Sequence, residues 1–297
     1  MRSILKKSKL AIIIPTCDRA VAIESLLCNS AWQLKKYGID LIIYDSSSND
    51  ETEALITNFH ADGCDNVYYH RYEGKFDGFS LDHKLVQAYK DYVDDYDYIW
   101  LCRDGLIVTI DNCYKELFSA MNQKCDCIFV DASFRNGGET SFKKYVNCVD
   151  VFKDHAIRAI TLGTLIFSKK MIKKIIKEHP ITENNYSLWQ MAVPFEYFAT
   201  NSFVAISIIN QVFSYNILGT SNSFWNANAS ALKQWSYYWF HVLNKLPPVY
   251  DDFKKDIFQI NMFDFNPFSP SSLLRFRANG GLDLKLLFEH KVVLKKL

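Results

Sequence analysis

Two apolar runs of strand length, each cut off abruptly by small polar and acidic residues, constrain this chain most. They are LAIIIPTCDR at 10–19 and DLIIYDSSSNDET at 40–52, with a helical pattern between them. A strand covered by helices on both faces is almost continuously aliphatic, so each run reads as a buried parallel strand. The polar residues that follow then sit at the carboxyl ends of two strands, where open α/β sheets bind their ligands. Asp18, Asp45 and the hydroxyls of Ser46, Ser47 and Ser48 would line one crevice, the outline of a nucleotide pocket. Neither GxGxxG nor GxxxxGK[ST] follows any predicted strand, which removes the dinucleotide and P-loop fingerprints. Without a glycine cradle, a diphosphate needs another counter-charge, usually a divalent metal held by carboxylates.

The alternation continues. A helix is expected over 21–37, a second from the Asn49, Asp50 and Thr52 cluster to about residue 60, and NVYYHRY at 66–72 reads as a third strand. Ser80 can cap a helix over 81–93, and strands follow at 98–102 and 127–130. Strands alternating with helices imply a parallel α/β sheet. Residues 134–145, with Gly137 and Gly138, read as a loop; a strand is expected at 164–167 and helices at 169–177 and 187–199. After Tyr215 the pattern changes to a polar loop and then to helices at 231–246, 251–260 and 282–294. The expected organisation is therefore an α/β domain over 1–220 with a helical C-terminal extension over 221–297.

At 297 residues a sizeable core is available, and a net charge of +1 argues against a nucleic-acid partner. The 8 cysteines are scattered without a CxxC, so reduced, mostly buried thiols are the natural reading. No apolar h-region precedes the first strand, and that strand is far too short to span a bilayer, so the chain reads as cytoplasmic. Lys291, Lys295 and Lys296 form a short basic stretch that offers peripheral contact with the inner face of a membrane or with a partner. Its few charges add little on their own. Aromatic residues make up 15% of the chain, and a rich core accounts for most of them.

The run at 10–19 resembles the opening SIIIPTYNR strand of the family-2 glycosyltransferases of the GT-A fold. DSSSNDET resembles their DNGSTDGT loop, and YDYIWLCRDGLIV at 96–108 resembles the strand and turn that carry their metal-binding DxD. Order and separations fit, and the likeness covers the first two-thirds of the chain. The resemblance implies a Rossmann-like, mostly parallel sheet flanked by helices. It further implies a UDP-sugar donor, Mn2+ or Mg2+, and inverting transfer of a hexose or N-acetylhexosamine to a glycan, glycoprotein or lipid-linked acceptor.

Residue by residue, the resemblance puts Pro15, Thr16, Asp18 and Arg19 at the edge of the nucleotide site, with Asp45 accepting from the uracil N–H and Ser47 beside it. The plainer reading of Asp18 and Asp45 is that they cap the helices that follow. Asp77, in GKFDGFS, and Lys84 are the further donor-site candidates, against a turn residue and a solvated lysine. At the metal motif the letters are Cys102, Arg103, Asp104 and Gly105, so only the last aspartate remains to bind an ion. Arg103 stands where the family often has an acid; it can pair with the diphosphate in place of the ion, or mark a chain that has lost activity. His241 is the candidate for a late third metal ligand, against a satisfied core histidine.

Sugar transfer also needs a general base. The family places an acid just before or within the helix that here reads ENNYSLWQMAVPFEYF, but Trp189 and Gln190 stand at the expected position. Glu183, Glu196 and Asp131 are the nearest acids. Glu196, among Phe195, Tyr197 and Phe198, would have its pKa raised by burial, against the plainer reading of a helix-surface glutamate. Trp189 and Gln190 then become acceptor-site candidates, against a core tryptophan. The cluster Trp225, Trp235, Tyr237, Tyr238 and Trp239 suggests an acceptor, lid or homo-oligomer surface, against helix–sheet packing. The expected activity is UDP-sugar-dependent glycosyl transfer. The rivals are a catalytically inactive scaffold or binding subunit of a glycosylation complex, kept open by the missing first aspartate and the unclear base, and nucleotidyl transfer, for which PTCDRA is a poor loop.

Overall fold

The computed structural model describes residues 9–74, 80–130, 141–209, 212–215, 240–257, 274 and 277–278. Among these, β1 (Leu10–Thr16), α1 (Ala20–Tyr37), β2 (Asp40–Asp45), α2 (Glu51–Ala61), β3 (Val67–Arg71), α3 (Ser80–Tyr92) and β4 (Tyr98–Leu101) follow the expected order. Then come β5 (Leu106–Val108), α4 (Tyr114–Asn122), β6 (Cys127–Val130), β7 (Ser141–Tyr145), α5 (Cys148–His155), β8 (Leu165–Ser168) and α6 (Lys169–Glu178). The remainder is α7 (Trp189–Thr200), β9 (Ala205–Ile209), β10 (Phe213–Tyr215), α8 (Phe240–Lys245) and α9 (Asp251–Ile257).

Eight strands form one sheet in the order β3-β2-β1-β4-β8-β6-β9-β7, and β5 pairs with β10 in a separate ribbon. β1 pairs in parallel with both β2 and β4, and β6 with β9, while β8 and β7 run antiparallel to their neighbours. The central strands are apolar throughout because each face meets its own core. Ala11 and Ile13 face a cluster built with Leu85, Tyr89, Met171 and Trp189, whereas Ile12 and Ile14 face one built with Ile23, Leu27, Leu117 and Met121. Period-two alternation between two apolar layers reads in sequence as an unbroken aliphatic run.

Three local features depart from expectation. The second half of the expected 134–145 loop is the edge strand β7; residues 131–140 lie outside the described residues. The strand expected at 164–167 is present but antiparallel. α5 was not anticipated, although Asn147 caps it, its side chain accepting from Val149 N at 2.9 Å and Asp150 N at 3.2 Å. Of the expected C-terminal helices, α8 and α9 are described; 282–294 and the Trp225–Trp239 aromatics lie outside the described residues. α8 and α9 join the core of the α/β unit: Tyr250 stacks on Phe152 at 4.4 Å and donates to the Phe195 carbonyl at 2.8 Å. No helix among the described residues is long and apolar enough to cross a membrane.

The turn between β4 and β5 carries Arg103 and Asp104, and it is pinned from below. Trp100 Nε1 donates to the Gly163 carbonyl at 2.6 Å and its ring meets Phe213 edge-on at 5.5 Å. Gly163 has φ +117°, and a Cβ there would stand 3.2 Å from Leu106 Cδ1 and 3.3 Å from Phe213 Cζ. Both the backbone conformation and the space require glycine. Gly163→Ala is expected to lower stability by about 1–3 kcal/mol, read from the denaturant midpoint.

Candidate active site

Everything polar that the sequence placed after β1 and β2 converges at the carboxyl edge of the sheet, around the ends of β1, β2 and β4. Lys84, from the first turns of α3, is buried and donates from Nζ to the Thr16 carbonyl at 2.6 Å and to Ser46 Oγ at 2.8 Å. Thr16 Oγ1 donates to Asp104 Oδ2 at 3.0 Å, and Arg19 Nη1 to Asp104 Oδ1 at 2.9 Å. Arg19 occupies the N-cap position of α1 without capping it, its side chain reaching across to the turn between β4 and β5 instead. Burial pushes the Asp104 carboxyl above its usual value, against the opposing pull of Arg19, Thr16, Arg103 and Lys84. Burial likewise depresses Lys84, to about 8, with Cys17, Asp45 and Asp104 pulling the other way.

The two acids after the strands organise loops, and neither caps the helix that follows. Asp18 sits at φ 51°, exposed, and accepts from Ser48 N at 3.0 Å, the contact that most lowers its pKa. Asp45 is completely buried: Oδ1 accepts from Ser47 N at 2.9 Å and from the Ser47 hydroxyl, and Oδ2 from Tyr69 at 3.3 Å. Asp45 thus holds the serine loop from a fully buried position. Arg71 completes the brace, donating to the Ser47 carbonyl at 2.7 Å and pairing with Asp50 at 2.6 Å. Sequence reasoning missed Arg71; the signal was the parallel register that sets it opposite Asp45. Pro15, opposite Tyr44, completes the β1 rim.

A second cluster forms where the start of α3 meets the head of α7. Asp82 is buried and accepts from the backbone N–H groups of Ser187 and Trp189, while its Oδ2 has no hydrogen-bond partner among the described residues. Loss of solvation raises its pKa to about 7, more than those two bonds pull it back. The helix thus receives at its N-terminus a carboxyl from another element. In the sequence Asp82 is simply the acid in the first turn of α3.

No protein-family model and no curated protein sequence matches the chain. Solved structures do match in shape. The mannosyltransferase PcManGT from Pyrobaculum calidifontis, in complex with GDP-Man and Mn2+, superposes over 99% of this chain and 82% of its own, with TM-score 0.54 and 13% identity. S. aureus TarS 1-349 in complex with UDP covers 97% and 79%, with TM-score 0.55 and 11% identity. The same protein in complex with UDP-GlcNAc covers 96% and 79%, with TM-score 0.54 and 11% identity. Against the longer S. aureus TarS chain, the match spans 36% of that protein. The fold is GT-A.

Within this GT-A fold the remaining candidates are dispersed. Glu196 is not enclosed by its aromatic neighbours; it lies two turns along α7, which runs back from the carboxyl edge, and faces His179 Nδ1 at 3.2 Å. Glu183 is exposed, and its carbonyl accepts from His241 Nε2 at 2.9 Å, so the histidine expected as a metal ligand is occupied at the loop before α7. Trp189 is fully buried, 6.2 Å from Tyr89, with Nε1 donating to the His179 carbonyl at 2.8 Å. Gln190 is buried beside it. Trp189 presents no face to an acceptor, because the head of α7 packs it into the core. Asp77 and Asp131 lie outside the described residues.

Among the described residues the donor set does not fit a divalent ion. Among the described residues no three His, Cys, Asp or Glu side chains gather as ligands, and both oxygens of Asp104 are already held, one by a cation.

Asp82 supplies a pH test of the geometry. Its folded pKa, about 7, lies above the ordinary 3.8, so the folded chain keeps a proton that the unfolded chain releases. Stability must then fall as pH rises between those values. Asp82→Asn mimics the protonated form, and its stability relative to the parent should improve by on the order of 2 kcal/mol between pH 5 and pH 8 in denaturant unfolding.

Proposed function

We propose that this chain is a glycosyltransferase that moves a hexose or N-acetylhexosamine from a UDP-sugar to a glycan, glycoprotein or lipid-linked acceptor, with inversion at the anomeric carbon. The observation that carries the reading is the convergence of Thr16, Arg19, Lys84 and Asp104 at the carboxyl edge of a GT-A sheet. Nucleotide-sugar binding by the structural neighbours supports it: TarS holds UDP and UDP-GlcNAc, and PcManGT holds GDP-Man. Exposed Asp18, at the rim, is the more accessible of the two acids for accepting from the uracil N–H, with buried Asp45 behind it. Residues 221–297, of which Tyr250, between α8 and α9, packs against α5 and α7, are assigned the acceptor, lid or partner surface.

Asp82 is the base in this reading. From α3 it reaches the head of α7, the segment in which the family resemblance puts an acid of its own, and its buried Oδ2 has no hydrogen-bond partner among the described residues. A pKa near neutrality suits proton abstraction. The acceptor hydroxyl oxygen attacks the anomeric carbon as its proton passes to Asp82 Oδ2. The bond to the donor phosphate oxygen breaks, and the diphosphate leaves with the electron pair.

The test is a screen of UDP release from a panel of UDP-sugars. Release from one sugar, accelerated by an acceptor glycan, is expected. Binding of UDP with no turnover of any sugar would instead favour the binding-subunit alternative. Asp82→Asn should lower transfer by about 100-fold or more while leaving UDP affinity intact, and Glu196→Gln should stay within about twofold of the parent. Full activity in Asp82→Asn would remove the base assignment. Because Lys84 gives up its charge above about pH 8, UDP affinity in calorimetric titrations should weaken as pH rises through that value.

A further inference from the structure

The carboxylate that a GT-A enzyme would offer to a metal is engaged here by a guanidinium. Arg19 Nη1 lies 2.9 Å from Asp104 Oδ1, and the Thr16 hydroxyl takes Oδ2 at 3.0 Å. Arg103 and Lys84 are both close enough to draw the same carboxyl down. A divalent ion at ligand distance from Asp104 would have to displace Arg19 and then sit among three side-chain cations. Like charges a few ångströms apart repel strongly in a buried site.

The same cations suit a diphosphate. Arg19 Nη2 is buried and has no hydrogen-bond partner among the described residues, so one edge of the guanidinium remains for an anion. Guanidinium groups match phosphate oxygens through paired N–H donors. Lys84 is buried against neutral partners, the Thr16 carbonyl and the Ser46 hydroxyl, which leaves its charge without a direct anionic contact. Arg19, Lys84 and Arg103 all act on the one carboxylate, Asp104, that the turn after β4 retains.

We infer that this chain neutralises the diphosphate of its donor with Arg19, Lys84 and Arg103 and binds it without a divalent ion. The inference rests on the donor-site reading of this edge and deepens it. Asp104 becomes a positioning residue that holds Arg19 in place until phosphate oxygens replace one of its contacts.

The experiment is calorimetric titration of UDP into the full chain, first in EDTA and then with manganese. Affinity in EDTA within about threefold of that in manganese is the expected result. Arg19→Ala and Arg103→Ala should each weaken UDP in EDTA by about 10-fold or more, the loss of a charge-assisted contact. Asp104→Asn preserves shape while releasing Arg19, and it should keep or improve UDP binding in EDTA. UDP release from the donor sugar should also persist in EDTA. Binding that appears only with manganese, or that Asp104→Asn abolishes, would overturn the inference and leave the donor-site reading standing. Absence of UDP binding in both buffers would overturn the donor-site reading and this inference with it.

Discussion

The Lys84 ammonium, buried between the ends of β1 and β2, is the contact on which the geometry of the candidate site depends. Its two hydrogen bonds tie α3 to the Thr16 carbonyl and to the Ser46 hydroxyl, and Ser46 N donates to the same carbonyl at 3.1 Å. The strand ends that carry Thr16 and Asp45 are thereby fixed against one helix. Burying a cation costs free energy unless it is paired, and buried charges in folded proteins are ordinarily matched by an ion. Here the direct partners are neutral, and the depressed pKa of about 8 reports the unfavourable balance. A bound phosphate would reverse that balance.

α3 carries both of the perturbed groups. Asp82 and Lys84 are two residues apart, so they project from the helix about 200° from one another, one toward the head of α7 and one toward β1 and β2. Burial moves them in opposite directions, the acid up to about 7 and the lysine down to about 8. Groups whose environments push them toward neutrality from opposite sides are the usual mark of acid–base and anion-binding roles. Both shifts are destabilising at the pH where they are useful, which is the expected relation between a functional site and the stability of its scaffold.

The two opening motifs made the sheet legible because their hydrophobic runs and polar stops report burial and strand polarity directly. Thr16, Arg19, Ser47, Lys84 and Asp104 were legible for the same reason, being fixed in place by strand ends and a helix start. What the sequence concealed lies in pairings between distant short segments. The antiparallel sense of β8, the ribbon of β5 with β10 and the edge strand β7 each rest on three to five residues. Strand direction at that length is set by neighbours rather than by local pattern. The role of Asp82 was hidden for a similar reason: a carboxylate in the first turn of a helix reads as a dipole partner of its own helix. Only the fold shows that it serves the N-terminus of another. Glu196 failed as the buried acid because flanking aromatics say nothing about which face of a helix a residue occupies, and its face meets His179.

The altered metal motif is coherent when its three letters are taken together. Cys102 stands where the family's first aspartate would be, and its thiol is fully buried in the core with a pKa far above the ordinary value through burial alone. Its backbone N–H donates to the Ile13 carbonyl at 2.9 Å, so the position belongs to the sheet rather than to the crevice. An aspartate there would leave a carboxylate in an apolar layer, at a cost of several kcal/mol. Arg103 follows with a positive charge where an acid is usual, and Asp104, the one remaining acid, is held by Arg19 and Thr16. Loss of one ligand alone would leave a damaged metal site. Replacement of one acid by a core thiol, of a second by a cation, and pairing of the third with another cation changes the sign of the site. In the reading proposed above, a loop that has exchanged ligands for counter-charges would meet the electrostatic demand of a diphosphate leaving group by a different physical means.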